Sequence, residues 1–111
     1  MNISLHADAP FEDEQAWLEF LGAHEQAHQT IVQALARRGH VISRPSLVSD
    51  PRDDPTWLLD HGRLHAAEAA ALGGSSPDLE SVDLTDEIQY QDWMRLHADV
   101  HRAENAALGI Y

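Results

Sequence analysis

Histidine is the residue type through which this sequence is best equipped to do chemistry. Six of its eight histidines form three H-x-x-x-H pairs, spaced 37 and 36 residues apart along the chain. Residues four apart lie on one face of an α-helix, so each pair would present two imidazoles in the same direction. Helical metal sites use two imidazoles at this spacing. The pairs are His24 and His28, His61 and His65, and His97 and His101.

The first pair also has a glutamate after its first histidine and reads H-E-x-x-H, the pattern of zinc hydrolases. In that pattern the two histidines bind Zn²⁺, and the glutamate, here Glu25, is the general base for a metal-bound water. The other pairs have Gly62 and Ala98 at this position, and Ile31 and Ala34 stand where an extended zinc motif has Gly and His. A zinc hydrolase is therefore the least favoured function.

The second and third pairs each have a glutamate three residues after the second histidine. Two helices that read H-x-x-x-H-x-x-E could hold zinc or another divalent metal in a mono- or dinuclear site. The first pair has Ile31 at the glutamate position and does not match. Histidines that pack between helices and pair with an acid one turn later explain the same pattern, and the sequence favours that interpretation over metal binding or pH sensing. The alternative metal ligands are His61, His65, Glu68, His97, His101 and Glu104, with His24 and His28 as further ligands.

The elements that must position these histidines are three helices built on one repeated pattern. In each copy an aromatic residue precedes the first histidine by four, and an Ala-Leu pair follows at helical spacing. Pro55 suits a first helical turn and Gly39 a helix end. The sequence predicts one all-α domain over residues 1–111, with helices at about 11–38, 54–72 and 85–108 joined by two Pro/Gly-containing loops. Brief strand pairing of residues 41–42 with 81–84 is the alternative for the loops.

The three tryptophans are the predicted apolar anchors of this repeat. Each precedes a histidine pair, and large aromatic side chains dominate the energetics of cores and interfaces. Trp17, Trp57 and Trp93 are therefore expected to be buried in the core or at an interface with another subunit.

Composition excludes several classes of function. The formal net charge is −12 and lysine is absent, so direct binding to a nucleic-acid backbone is not expected. The absence of cysteine excludes disulfides, thiolate metal sites and a cysteine nucleophile. No apolar run is long enough to span a membrane, and residues 1–10 lack the basic start of a signal peptide. The expectation is a protein made in a cytoplasm.

Residues 77–84 read P-D-L-E-S-V-D-L and are followed by Trp93, His97, His101 and an A-L-G sequence at residues 107–109. This part of the chain resembles small helical, virion-associated proteins of tailed bacteriophages, which share D-L-x-x-V-D-L and W-x-x-x-H-x-x-x-H motifs. The resemblance covers roughly residues 55–109. It implies a structural protein of the neck, capsid surface or tail, made in the host cytoplasm and located in the virion. It further implies contacts with other virion proteins, several copies in a ring or lattice, and no catalytic or cofactor-binding residues.

Overall fold

The computed structural model describes residues 11–43 and 49–109. Within them the chain forms three α-helices and no strand: α1 is Glu14–Arg37, α2 is Pro55–Ala71 and α3 is Glu87–Leu108. The prediction of an all-α fold with three helices is confirmed, and residues 41–42 and 81–84 are irregular instead of paired as strands. His6, Pro10 and Pro45 lie outside the described residues.

An aspartate caps the start of every helix. Asp13, Asp54 and Asp86 have extended backbones, and each side chain accepts a hydrogen bond of 3.0 Å from a backbone N–H of the first turn. Such caps stabilise a helix by about 1 kcal/mol each. α1 and α3 begin slightly later than the predicted starts at residues 11 and 85. For α1 the reason is that Glu12 has a φ of 70°, and for α3 it is that the Thr85 side chain bonds to Asp83 instead of capping the helix.

The segment before α2 is held against the first turn of α1. The Arg52 guanidinium donates hydrogen bonds to the carboxylates of Glu14 and Asp50, and it lies 5.0 Å above the ring of Trp17. The indole N–H of Trp17 donates to Asp50 at 3.3 Å. These contacts join two distant parts of the chain and fix where α2 begins relative to α1.

Two apolar clusters lie at the two ends of the helix bundle. The upper cluster contains all three tryptophans together with Phe20, Leu58, Leu79, Leu84, Tyr90 and Met94. The lower cluster is formed by Ile31, Leu35 and Leu108. Trp17, Trp57 and Trp93 are only 2–3% exposed, so they anchor the core of this chain. Each large apolar side chain buried in this way contributes about 1.5–3 kcal/mol.

The three helices are not equally close. α1 packs on both α2 and α3, whereas α2 and α3 approach each other less closely. None of the three is long and apolar enough to cross a membrane, in the described ranges 11–43 and 49–109.

Candidate metal centre

All six histidines of the H-x-x-x-H pairs meet between the two apolar clusters. Each helix supplies one pair, and every one of these side chains is at most 1% exposed. Their potential ligand atoms all lie within 4.8 Å of one another. The first pair, which has Ile31 in place of the glutamate, contributes two imidazoles to this group as each of the other pairs does. We call this group the histidine centre; its members are His24, His28, His61, His65, His97 and His101.

The imidazole rings form two stacked triangles. The first histidines of the pairs, His24, His61 and His97, have ring centroids 4.7 to 5.0 Å apart. The second histidines form a triangle with sides of 4.6 to 4.8 Å. Within each pair the two centroids are 4.4 or 4.5 Å apart and the rings are steeply inclined. Six rings therefore surround one small volume on the axis of the bundle.

The nitrogen atoms that face this volume are the Nε2 atoms. The Nε2 of His61 lies 2.9 Å from that of His24 and 3.2 Å from that of His97. Within two of the pairs, the Nε2 atoms of His28 and His24 are 2.9 Å apart, and those of His101 and His97 are 3.0 Å apart. Five Nε2 atoms thus form a continuous chain of short contacts.

Hydrogen bonds alone cannot satisfy this chain of contacts. A ring nitrogen of a neutral imidazole is either a donor or an acceptor, and it cannot be both. His24, His61 and His97 each use Nε2 in two short contacts. A single N–H would have to be shared between two neighbours, or two lone pairs would face each other. The Nε2 of His65 is buried and has no hydrogen-bond partner among the described residues. The four short contacts therefore cannot all be ordinary two-centre hydrogen bonds.

Two buried glutamates hold the outer nitrogens of the second triangle. The Nδ1 of His28 lies 2.9 Å from Oε2 of Glu68, and the Nδ1 of His65 lies 3.4 Å from Oε2 of Glu104. When these carboxyl groups are ionised, they accept from Nδ1–H and fix the tautomer in which the Nε2 lone pair faces inward. Both interactions join neighbouring helices.

Spacing along the helix pairs each glutamate with the histidine one turn earlier on its own helix. The distances along the helix are longer, at 3.4 Å from His65 to Glu68 and 4.0 Å from His101 to Glu104. The principal partner of each glutamate is the second histidine of the preceding repeat. By the same arrangement, the Nδ1 of His101 would contact a glutamate at position 31, but the chain has Ile31 there. Its Nδ1 is accordingly buried without a hydrogen-bond partner among the described residues.

Aromatic rings cover the centre on the upper side. Trp93 stacks on His97 at 4.5 Å with an angle of 7° between the planes, and Trp57 stacks on His61 at 4.6 Å. Phe20 lies over His24 at 5.7 Å. The indole N–H of Trp93 donates to the Leu79 carbonyl at 3.1 Å, which fixes the ring that stacks most closely. The aromatic side chains hold the first triangle in place and exclude water from above.

Burial dominates the electrostatics of the centre. It lowers the pKa of His24, His28, His61, His97 and His101 well below the usual value of 6.5, and the neighbouring imidazoles lower it further. These rings are therefore neutral at pH 7 and available as ligands. Burial, together with the nearby Glu104, raises the pKa of Glu68 to about 10, so this carboxyl pair retains a proton in the absence of a cation.

The H-E-x-x-H pattern is divided between this centre and the flank of α1. His24 and His28 point into the centre, whereas Glu25 is half-buried on an adjacent face of the helix. Of the two histidines outside the pairs, His40 is exposed and His6 lies outside the described residues.

Comparison with known proteins identifies no relative of this chain. No protein-family model, no curated protein and no solved structure matches the chain. The role in a phage particle, the ring or lattice of copies and the location in the virion therefore stay predictions, and the arrangement of the histidine centre is the feature from which a function can be inferred.

Proposed function

We propose that this protein binds one divalent transition-metal ion in the histidine centre, with six imidazole Nε2 atoms as its ligands. The observation that carries the proposal is the spacing of these atoms. In an octahedron with metal–nitrogen bonds of about 2.1 Å, adjacent ligands are about 3.0 Å apart. The four short Nε2–Nε2 contacts measure 2.9, 2.9, 3.0 and 3.2 Å.

A cation also satisfies the short Nε2–Nε2 contacts, which hydrogen bonds alone cannot. With a metal ion in the middle, every Nε2 acts as a lone-pair donor, and no proton is needed between any two of them. The Nδ1–H groups of His28 and His65 then point outward to Glu68 and Glu104, the arrangement in which carboxylates support metal-bound imidazoles. Among the described residues no arginine pairs with these two carboxylates, so the metal would also supply the positive charge that the buried acids lack.

We further infer that the three repeats are related by an approximate threefold axis through the metal. The near-equal sides of the two ring triangles support this symmetry. Two triangles, one above the other, supply the six corners of an octahedral site. Each repeat then contributes one aromatic cover, two ligands and one leucine at or beside the lower cluster: Leu35, Leu72 or Leu108.

The ligand set favours metals that accept six nitrogen ligands. Zinc usually takes four ligands in a tetrahedron, and Cu²⁺ prefers a tetragonal arrangement. Imidazole suits iron and nickel as well, and affinity along the first row rises from Mn²⁺ through Fe²⁺ and Co²⁺ to Ni²⁺. We therefore propose Fe²⁺, Co²⁺ or Ni²⁺ as the class of ion.

Six protein ligands leave no coordination position for water or substrate. Hydrolytic metal sites keep such an open position, so the proposed centre serves to bind and retain an ion and to stabilise the helix bundle. Glu25 has no role in this centre, which agrees with a function other than that of an H-E-x-x-H hydrolase.

Metal analysis of untagged protein tests the proposal. After removal of metals by a chelator and titration with Fe²⁺, Co²⁺ or Ni²⁺, we expect one ion per chain by elemental analysis. X-ray absorption at the metal edge should give six nitrogen neighbours at about 2.1 Å. Failure of all three ions to bind, or a tetrahedral site with bound water, would overturn the proposal. The His40→Ala variant, which removes an exposed histidine, should bind the ion as the wild type does.

Replacement of Glu68 by Gln tests the support given by the carboxylates. The variant keeps the side-chain shape but loses the charge that holds the His28 Nδ1–H, so we expect metal affinity to fall by about 10–100-fold with the same six-nitrogen coordination. Competition with a chelator of known affinity measures this change. Glu19→Gln, at an exposed position on α1, is the matched control. Equal affinity in the Glu68 and Glu19 variants would show that the carboxylate has no such role.

A further inference from the structure

We propose that the metal ion reaches the histidine centre through a cleft between α2 and α3, with Glu104 as the last protein group it contacts before the imidazoles. This inference rests on the proposed function, since it concerns how the same site is filled. The ligand is a hydrated divalent cation.

The cleft lies along the seam between α2 and α3. It has a volume of about 320 Å³ and is lined by α2, α3 and the loop that follows α2. Small side chains leave this space open, among them Ala69 on α2 and Ala103 and Ala107 on α3. α2 and α3 are also the pair of helices that approach least closely. A cation with part of its water shell can therefore enter here without displacing a helix.

Glu104 connects the cleft to the histidine centre. Its side chain is among the groups that line the cleft, although it is only 5% exposed. Its Oε1 is buried with no hydrogen-bond partner among the described residues, and it lies 3.3 Å from Nδ1 of His65. A buried carboxylate oxygen at the end of a cleft is a suitable group to replace water around an incoming cation.

Among the described residues, both ends of the centre are covered. Above it lie the stacked rings of Phe20, Trp57 and Trp93, and below it lies the lower cluster with Ile31 and Leu35. α1 packs against both other helices. In the second triangle the gap between the rings of His65 and His101 faces the Glu104 carboxyl. Rotation of either ring would admit the ion.

Obstruction of the cleft by Ala103→Phe tests this route. Ala103 is exposed at the cleft, so a larger side chain should fill the space without disturbing the core. Because a filled cleft excludes a partly hydrated ion, we expect the association and dissociation rate constants to fall together by about tenfold or more, with the equilibrium constant unchanged. Stopped-flow mixing of apo-protein with Co²⁺ measures association, and mixing of loaded protein with excess chelator measures dissociation.

Ala106→Phe is the matched control, since Ala106 is an exposed alanine of α3 that does not line the cleft. It should keep both rate constants, and Ala107→Phe, at the same cleft, should reproduce the effect of Ala103→Phe. Wild-type rates in both cleft variants, with circular dichroism showing them folded, would overturn the proposed route while leaving metal binding intact. A change in the equilibrium constant with unchanged association would overturn it as well. If the wild-type protein binds no ion, the proposed function itself fails.

Discussion

Removal of one imidazole from the middle of the contact chain, by His61→Ala, should lower metal affinity by about a thousandfold or more. This exceeds the 10–100-fold effect expected for groups that only support the ligands. The choice of His61 follows from its position, because its Nε2 lies within 3.2 Å of two other ligand nitrogens. Isothermal titration with Ni²⁺ measures the loss, and a chelator competition extends the range for the wild type.

The same substitution should remove most of the stabilisation that the metal gives. An ion present at a thousand times its dissociation constant stabilises the folded chain by about 4 kcal/mol, and a thousandfold weaker site loses nearly all of it. Urea unfolding with and without Ni²⁺ separates this effect from the cavity that His61→Ala leaves in the apo-protein. His61→Gln, which restores part of the volume, should still lack the stabilisation. A variant that gains as much stability from Ni²⁺ as the wild type would rule out His61 as a ligand.

The number of helices, their type and their histidine faces follow from the sequence because each depends on local spacing. The four-residue interval in His61 and His65 determines that both rings share one face. Aspartate before each helix and glycine after α3 mark the boundaries to within a few residues. The exact starts depend on competition between neighbouring side chains, as where Thr85 bonds to Asp83 and Asp86 becomes the cap.

The convergence of the three histidine faces could not be predicted in the same way. It requires the three histidine pairs to lie at the same level along the axis of the bundle. The upper and lower clusters set that level, and their residues come from distant parts of the chain. The shorter contacts of the glutamates across helices could not be predicted for the same reason. Spacing along one helix pairs Glu68 with His65, whereas the packed bundle brings Glu68 within 2.9 Å of His28. Ile31 then ceases to be evidence against the first repeat, since it removes only an outer partner of His101 and no inward ligand.

The apo-protein should unfold steeply in mild acid. Five histidines of the centre have a pKa below 6.5 when folded, so below that pH the unfolded chain takes up protons that the folded chain does not. Stability is therefore full above the unfolded pKa and decreases as the pH falls below it. Glu68 acts in the opposite direction, because its raised pKa of about 10 lets the folded chain hold one extra proton between about pH 4.5 and 10. The unfolded state therefore binds up to four more protons than the folded state. This corresponds to a change in the free energy of unfolding of about 5 kcal/mol per pH unit.

Bound metal should move this acid transition to lower pH, because the ion competes with protons for the same Nε2 lone pairs and only the folded chain holds all six together. Urea unfolding followed by tryptophan fluorescence, at closely spaced pH values from 7 to 4.5 with and without Ni²⁺, measures both effects. His97→Gln should reduce the pH dependence of the free energy of unfolding of the apo-protein by the contribution of one proton, since it removes one neutral buried ring. An apo-protein whose stability is constant across this range would mean that the rings take up protons while folded. Like charges in one buried volume would then separate the helices, and such a centre could not present its lone pairs to a metal ion.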